Sequence, residues 1–118
     1  MDTLTRPAVA PETTTPIKPS EAMRLGRMLY PRGCEGQLTQ PYDGGWAVCA
    51  AGAMYVGYGW TPGGLAAPSY IPPVFQVKES TCPACSVLGN AADVTTHLND
   101  EHCWSTERIA DWLEGMGL

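Results

Sequence analysis

The sequence predicts a small, mainly α fold of the α+β class: three to four short helices joined by long loops, behind an extended N-terminal arm. Three observations carry that prediction. Apolar residues recur at helical spacing in two C-terminal segments, first Val94 and Leu98 around His97, then Ile109, Trp112, Leu113 and Met116. Cys82-Pro83-Ala84-Cys85 is followed after eleven residues by His97 and after four more by His102. This C-x2-C-x11-H-x4-H run is within one residue of the spacing at which two thiolates and two imidazoles meet a structural zinc ion tetrahedrally. Elsewhere Gly and Pro are dense, 13 and 11 of 118 residues, so the remaining helices are short and the connections long.

Residues 1–19 carry prolines at 7, 11, 16 and 19 among threonines and show no apolar periodicity, the pattern of an extended arm. Residues 20–118 read as one small domain, near the size at which a metal staple matters. Its first helix runs from Ser20, a good N-cap, to about Tyr30, between Pro19 and Pro31. Ala22, Leu25, Met28 and Leu29 are expected to face inward, with Glu21, Arg24 and Arg27 toward solvent. Arg24, Arg27 and Arg32 form the chain's one basic cluster, a solvated face or a contact for an acidic partner or phosphate. A second helix is expected over 46–55, so rich in Ala and Gly that another element can approach its backbone closely. Pro62, Gly63 and Gly64 mark turns, and 68–73 is extended loop. Loops this long bind something or order against a partner, which makes Trp60 and Tyr70 candidate interaction residues. Residues 74–77 read as a strand leading into the cysteine knuckle.

Asp93 as N-cap places His97 on a helix. A gap of four rotates His102 about 140° from His97 on an ideal helix, so the last turn should tighten or unwind. Cys103, beside His102, is the alternative fourth ligand. Ser105 caps a final helix, Glu107 suits its positive end, and Gly115 and Gly117 close it. Residues 79–118 are therefore expected to form a zinc knuckle with a helix pair.

The net charge is −5 at pH 7, and it is unevenly placed. Residues 1–78 carry six basic and five acidic side chains; residues 79–118 carry one basic and seven acidic. Affinity for polynucleotides comes mainly from cations on phosphates, so a helix bearing Asp93, Asp100 and Glu101 is repelled from a groove. Gly89 also stands where DNA-reading fingers place a core aromatic, and no basic linker follows. Nucleic acid is not expected as a partner of this finger. An odd count of five cysteines, two of them paired at metal spacing, favours a reducing compartment. Cys34 and Cys49 read as free buried thiols, with a disulfide between them as the other reading. No apolar run reaches membrane-spanning length, and no basic n-region precedes an apolar h-region, so a soluble protein without a membrane partner is expected.

The run His97-Leu98-Asn99-Asp100-Glu101-His102, then Trp104, then Ile109-Ala110-Asp111-Trp112-Leu113, resembles a family of small proteins encoded in bacteriophage and prophage genomes. The likeness extends upstream through Glu21-Ala22-Met23-Arg24-Leu25-Gly26 and Cys49-Ala50-Ala51-Gly52-Ala53, covering most of residues 20–114. It implies a phage or prophage source and a place in the host cytoplasm or the virion, and it brings no activity with it.

The first functional expectation is a non-enzymatic, zinc-stabilised structural or interaction protein. It would dock on a protein assembly, such as a minor virion or capsid-associated one, or on a second copy, through the arm and the Gly-rich loops. The alternative is a phage regulator. Ser105-Thr106-Glu107-Arg108-Ile109-Ala110 opens like a helix-turn-helix protein, and the acidic face could meet host transcription machinery; yet that helix sets only Arg108 against Glu107, Asp111 and Glu114. Catalysis is not expected. A zinc deaminase needs its His or Cys and a Glu before P-C-x-x-C, whereas here both histidines follow the cysteines. Both histidines are also committed to metal, which leaves no base for a nucleophile such as Cys49.

Overall fold

The computed structural model describes residues 17–63 and 66–118; the arm reading of residues 1–16 and the turn at Gly64 lie outside these. In chain order the elements are α1 (Pro19–Leu29), β1 (Thr39–Tyr42), β2 (Gly45–Val48), α2 (Ala50–Gly57), α3 (Pro73–Val77), β3 (Glu79–Thr81), β4 (Leu88–Asn90), α4 (Ala91–Asp100) and α5 (Thr106–Gly115). The class is α+β and mainly helical, as predicted, with five helices and two antiparallel hairpins among the described residues. No helix among them is long and apolar enough to cross a membrane.

Helix α1 starts at Pro19 with Lys18 as N-cap, two residues earlier than a Ser20 cap would allow. Proline suits the first helical position because its missing N–H has no intrahelical partner there. The Glu21 carboxylate reaches back to accept from the Lys18 N–H at 2.9 Å. The inward face is not the expected one. Pro19, Ser20, Ala22, Met23 and Gly26 are buried, whereas Leu25, Met28 and Leu29 are 40%, 77% and 60% exposed. The cause is the closeness of α2. A Cβ on Gly26 would lie 1.7 Å from the Ala53 carbonyl oxygen, and one on Gly57 1.9 Å from that of Ala22. Two helices in backbone contact select small residues at their crossing and push long side chains to the other face.

The close approach foreseen for the Ala/Gly-rich segment is thus made by α1, but that segment is not one helix. Residues 46–48 belong to β2, paired with β1 in the register Tyr42↔Gly45 to Thr39↔Val48 across the two-residue connection Asp43-Gly44. Cys49 then caps α2, its sulfur accepting from the Gly52 N–H at 3.3 Å. Residues 74–77 are helical rather than a strand, because Pro72 and Pro73 preset helical φ at the start of α3. Phe75 alone of that turn enters the core. The strand falls two residues later, at β3.

One core joins these pieces, with Met23, Val48, Met54, Phe75, Val94, Leu98, Ile109 and Leu113 all fully buried. Helix α5 is tied to α1 by Arg24, whose guanidinium meets Glu107 at 2.8 Å, Asp111 at 2.6 Å and Glu114 at 2.7 Å. Arg27 is half-buried and donates to Thr106 Oγ1 and to the carbonyls of Tyr30 (2.9 Å), Arg32 (2.8 Å) and Val48 (2.9 Å). Two arginines of the expected basic cluster are therefore spent inside the chain, Arg24 on the carboxylates of α5 and Arg27 on a hydroxyl and backbone carbonyls. Arg32 remains at the surface, stacked 4.6 Å over the Tyr42 ring.

Candidate metal centre

Strands β3 and β4 pair as Glu79↔Asn90, Ser80↔Gly89 and Thr81↔Leu88, and the cysteine knuckle is the turn between them. The Cys82 N–H donates to the Val87 carbonyl and the Ser86 N–H to the Cys82 carbonyl, both at 2.8 Å. Ser86 turns the chain with a left-handed φ of 69°. This fold of the backbone points its N–H groups at sulfur: the Ala84 N–H lies 3.4 Å from Cys82 Sγ. Burial opposes ionisation of Cys82, but the N–H groups of Ala84, Cys85 and Ser86 and the Cys85 thiol outweigh it and hold this thiol below its ordinary value. The knuckle's N–H groups thus ease ionisation of this thiol relative to a free one.

Helix α4 follows β4 directly. Its N-cap is Asn90, whose side chain accepts from the Asp93 N–H at 2.7 Å, and Asp93 lies in the first turn rather than capping it. Starting there sends Val94 and Leu98 into the core and leaves His97 half-buried beside the knuckle. The His97 Nε2 atom is 3.2 Å from Cys85 Sγ and 3.1 Å from His102 Nε2, with the two rings edge to face. His102 gets there because the helix stops. Asp100 is the last residue of α4, Cys103 takes a left-handed φ of 53°, and the Trp104 N–H returns to the Leu98 carbonyl at 3.0 Å. The helix thus ends in a reversal through one left-handed residue, the unwinding that the four-residue gap required.

The ligand atoms of Cys82, Cys85, His97 and His102 all lie within 4.8 Å of one another. A tetrahedral ion with bonds of about 2.0–2.1 Å to nitrogen and 2.3 Å to sulfur implies edges of roughly 3.3 Å between nitrogens and 3.5 Å between nitrogen and sulfur. The separations of His97 Nε2 from His102 Nε2 (3.1 Å) and from Cys85 Sγ (3.2 Å) are close to these edges, and the donor set suits a divalent metal ion. Cys103 is turned away. Its thiol is exposed and meets Glu35, which with the nearby Glu101 and Asp100 carboxylates pushes it above its ordinary value. His102 completes the group.

The centre is wired to the rest of the fold by a residue that sequence reading passed over. Asn99, buried at the end of α4, accepts from the Ala50 N–H at 3.0 Å and donates to the Cys34 carbonyl at 3.0 Å. Asp100 beside it accepts from the Gly36 N–H at 2.9 Å. The helix that carries the first histidine thus pins both the N-terminus of α2 and the loop at 34–36. The available signal was a polar residue directly after Leu98, four positions beyond the buried Thr95. Asn99→Ala is expected to cost about 2–4 kcal/mol by orphaning one buried N–H and one carbonyl, and to lower the melting temperature without releasing the metal. Thermal unfolding with metal analysis checks both; an unchanged melt would contradict the assignment.

The other candidate residues are dispersed. Trp60 is half-buried and donates from Nε1 to the Ala66 carbonyl at 3.0 Å. Tyr70 is exposed and packs edge-on at 5.0 Å against Tyr58, whose hydroxyl donates to the Ile17 carbonyl at 2.7 Å. Cys34 and Cys49 are free thiols, each pushed up by burial. Comparisons of the chain with protein-family models, with curated proteins and with solved structures find no match.

Proposed function

We propose that this chain is a non-enzymatic structural and interaction protein, stapled by a structural zinc ion, that docks on a larger protein assembly. In the phage setting suggested by the resemblance of residues 20–114, the assembly is a virion or capsid-associated one. The observation that carries the reading is the convergence of Cys82, Cys85, His97 and His102. Zinc suits two thiolates and two imidazoles because it is borderline-soft and imposes no geometry against the tetrahedron. Four protein ligands close its coordination sphere and leave no position for water or substrate, which supports a structural role.

The burial of α4 supports an interaction role over base reading. Ala91, Val94, Thr95, Leu98 and Asn99 pack inward. The three positions from which such helices contact bases are here Asn90, Asp93 and Thr96: a cap, an acid and a hydroxyl. Arg24 and Arg27, beside the helix pair, are engaged with carboxylates and carbonyls, and Arg108 on α5 stacks 3.8 Å over the Trp104 ring.

Metal analysis of protein purified under reductant is expected to give about one zinc per chain, and cobalt substitution a tetrahedral thiolate-ligated spectrum. Substoichiometric zinc with an intact fold would sink the staple. A salt-dependent shift of duplex DNA at micromolar protein would replace docking with the regulatory reading.

A further inference from the structure

The two sulfurs of the Cys/His group are not equally sheltered. Cys82 is 1% exposed, whereas Cys85 is open to solvent. They lie within 4.8 Å of each other. Both belong to one closed turn, in which the Ser86 N–H donates to the Cys82 carbonyl at 2.8 Å, while the histidines come from α4 and the segment just past it. Sulfur attacks a peroxide in line with the O–O bond, an approach that exposure grants to Cys85 and burial denies to Cys82. The knuckle therefore pairs a reachable sulfur with a sheltered one in the same turn.

The other three cysteines offer no such pair. Cys49 is buried and caps α2. Cys34 is half-buried, with its sulfur 3.3 Å from the Gln37 carbonyl. Cys103 is exposed but faces Glu35, outside the Cys/His group.

We propose that the knuckle is a redox switch: hydrogen peroxide closes a Cys82–Cys85 disulfide and so opens the staple. The inference rests on the zinc reading above. Cys85 Sγ attacks one peroxide oxygen, the O–O bond breaks, and hydroxide leaves a sulfenic acid on Cys85. Cys82 Sγ then attacks the Cys85 sulfur and displaces a second hydroxide. Metal-bound sulfurs carry no protons, so the two hydroxides take two from solvent and become water. The two sulfurs lose two electrons in all, and the peroxide gains them. A disulfide is no longer a thiolate ligand, so only two imidazoles remain for the ion. Helix α4 then loses its tie to the knuckle.

The zinc-loaded full chain, treated with a small excess of hydrogen peroxide, tests this. A chromogenic chelator reads released zinc, and peptide mass spectrometry reads each cysteine. About one zinc per chain is expected to leave in step with formation of the Cys82–Cys85 disulfide, and reductant with added zinc should restore the helical signal. Cys103→Ser should release zinc within about twofold of the wild-type rate, because its thiol is not a ligand. Cys85→His keeps four zinc-ligating side chains without the exposed sulfur, and should hold zinc at least about tenfold longer. If that variant takes up no zinc, the wild-type disulfide map decides. Cys103 is the internal yardstick: its oxidation while Cys82 and Cys85 stay reduced and zinc stays bound overturns the proposal. So does zinc loss with Cys85 joined to any sulfur but Cys82. Substoichiometric zinc before oxidant sinks the staple and this inference together, whereas a zinc-loaded, peroxide-resistant knuckle sinks this inference alone.

Discussion

Chelating the proposed zinc ion under reducing conditions is expected to unfold at least the C-terminal half of the chain, and Cys82→Ser or His97→Ala should do the same. Structural zinc contributes on the order of 10 kcal/mol of apparent binding free energy, comparable to the whole stability of a domain this size. Little else holds the knuckle between β3 and β4. Its hairpin is two strands of three residues, too short to stand without a partner. Loss should also spread, because α4 delivers Val94 and Leu98 to the shared core and Asn99 to the start of α2. Circular dichroism and proton–nitrogen spectra of chelated protein should show dispersed signals collapsing across these elements. Cys103→Ser is the matched control: its thiol faces Glu35 rather than the cluster, so metal content and fold should stay as they are. A chelated chain that keeps its helical signal would contradict the staple, and zinc loss in Cys103→Ser would move the fourth ligand off His102.

How much of this was readable beforehand depends on where each contact keeps its information. The convergence of the Cys/His group was legible because side-chain chemistry and spacing are both local to residues 82–102, and even the unwinding after Asp100 follows from the His97–His102 gap. Helix α5 was legible too: Ser105 caps it, and Ile109 and Leu113 are buried as their spacing implied. Helix α1 was misread because amphipathicity weighs hydrophobicity, whereas a backbone crossing selects for smallness; Gly26 carried the signal that Leu25 and Met28 obscured. The β1–β2 hairpin had a local mark in Asp43-Gly44, overridden by the run of small residues after Trp46. Residues 74–77 were too few to show any period, and Pro72-Pro73 decided for helix. Arg24 was beyond local reading, since its carboxylate partners lie 83 to 90 residues away.

Gly26→Ala should destabilise the chain by about 3–5 kcal/mol, a large penalty for one methyl group. The added Cβ would sit 1.7 Å from the Ala53 carbonyl oxygen, 2.5 Å from its carbon and 2.9 Å from its Cα. All three are helical backbone, so no rotamer relieves the clash; α1 and α2 must part by roughly 1.5–2 Å to restore contact distance. Parting them loosens Met23 and Met54 at once, and each is fully buried. The gain in helix propensity on replacing glycine, about 1 kcal/mol, is too small to offset this. Gly57→Ala should behave alike, its Cβ lying 1.9 Å from the Ala22 oxygen. The double variant should cost less than the sum, because the first substitution has already moved the helices that the second would push. Gly115→Ala supplies the contrast: nothing lies within 4 Å of its Cβ, and the same chemical change should be neutral or stabilising by up to about 1 kcal/mol. Denaturant midpoints of the four variants decide the matter. If Gly26→Ala and Gly115→Ala shift the midpoint equally, α1 and α2 do not meet backbone to backbone, and the outward placement of Leu25 and Met28 loses its cause.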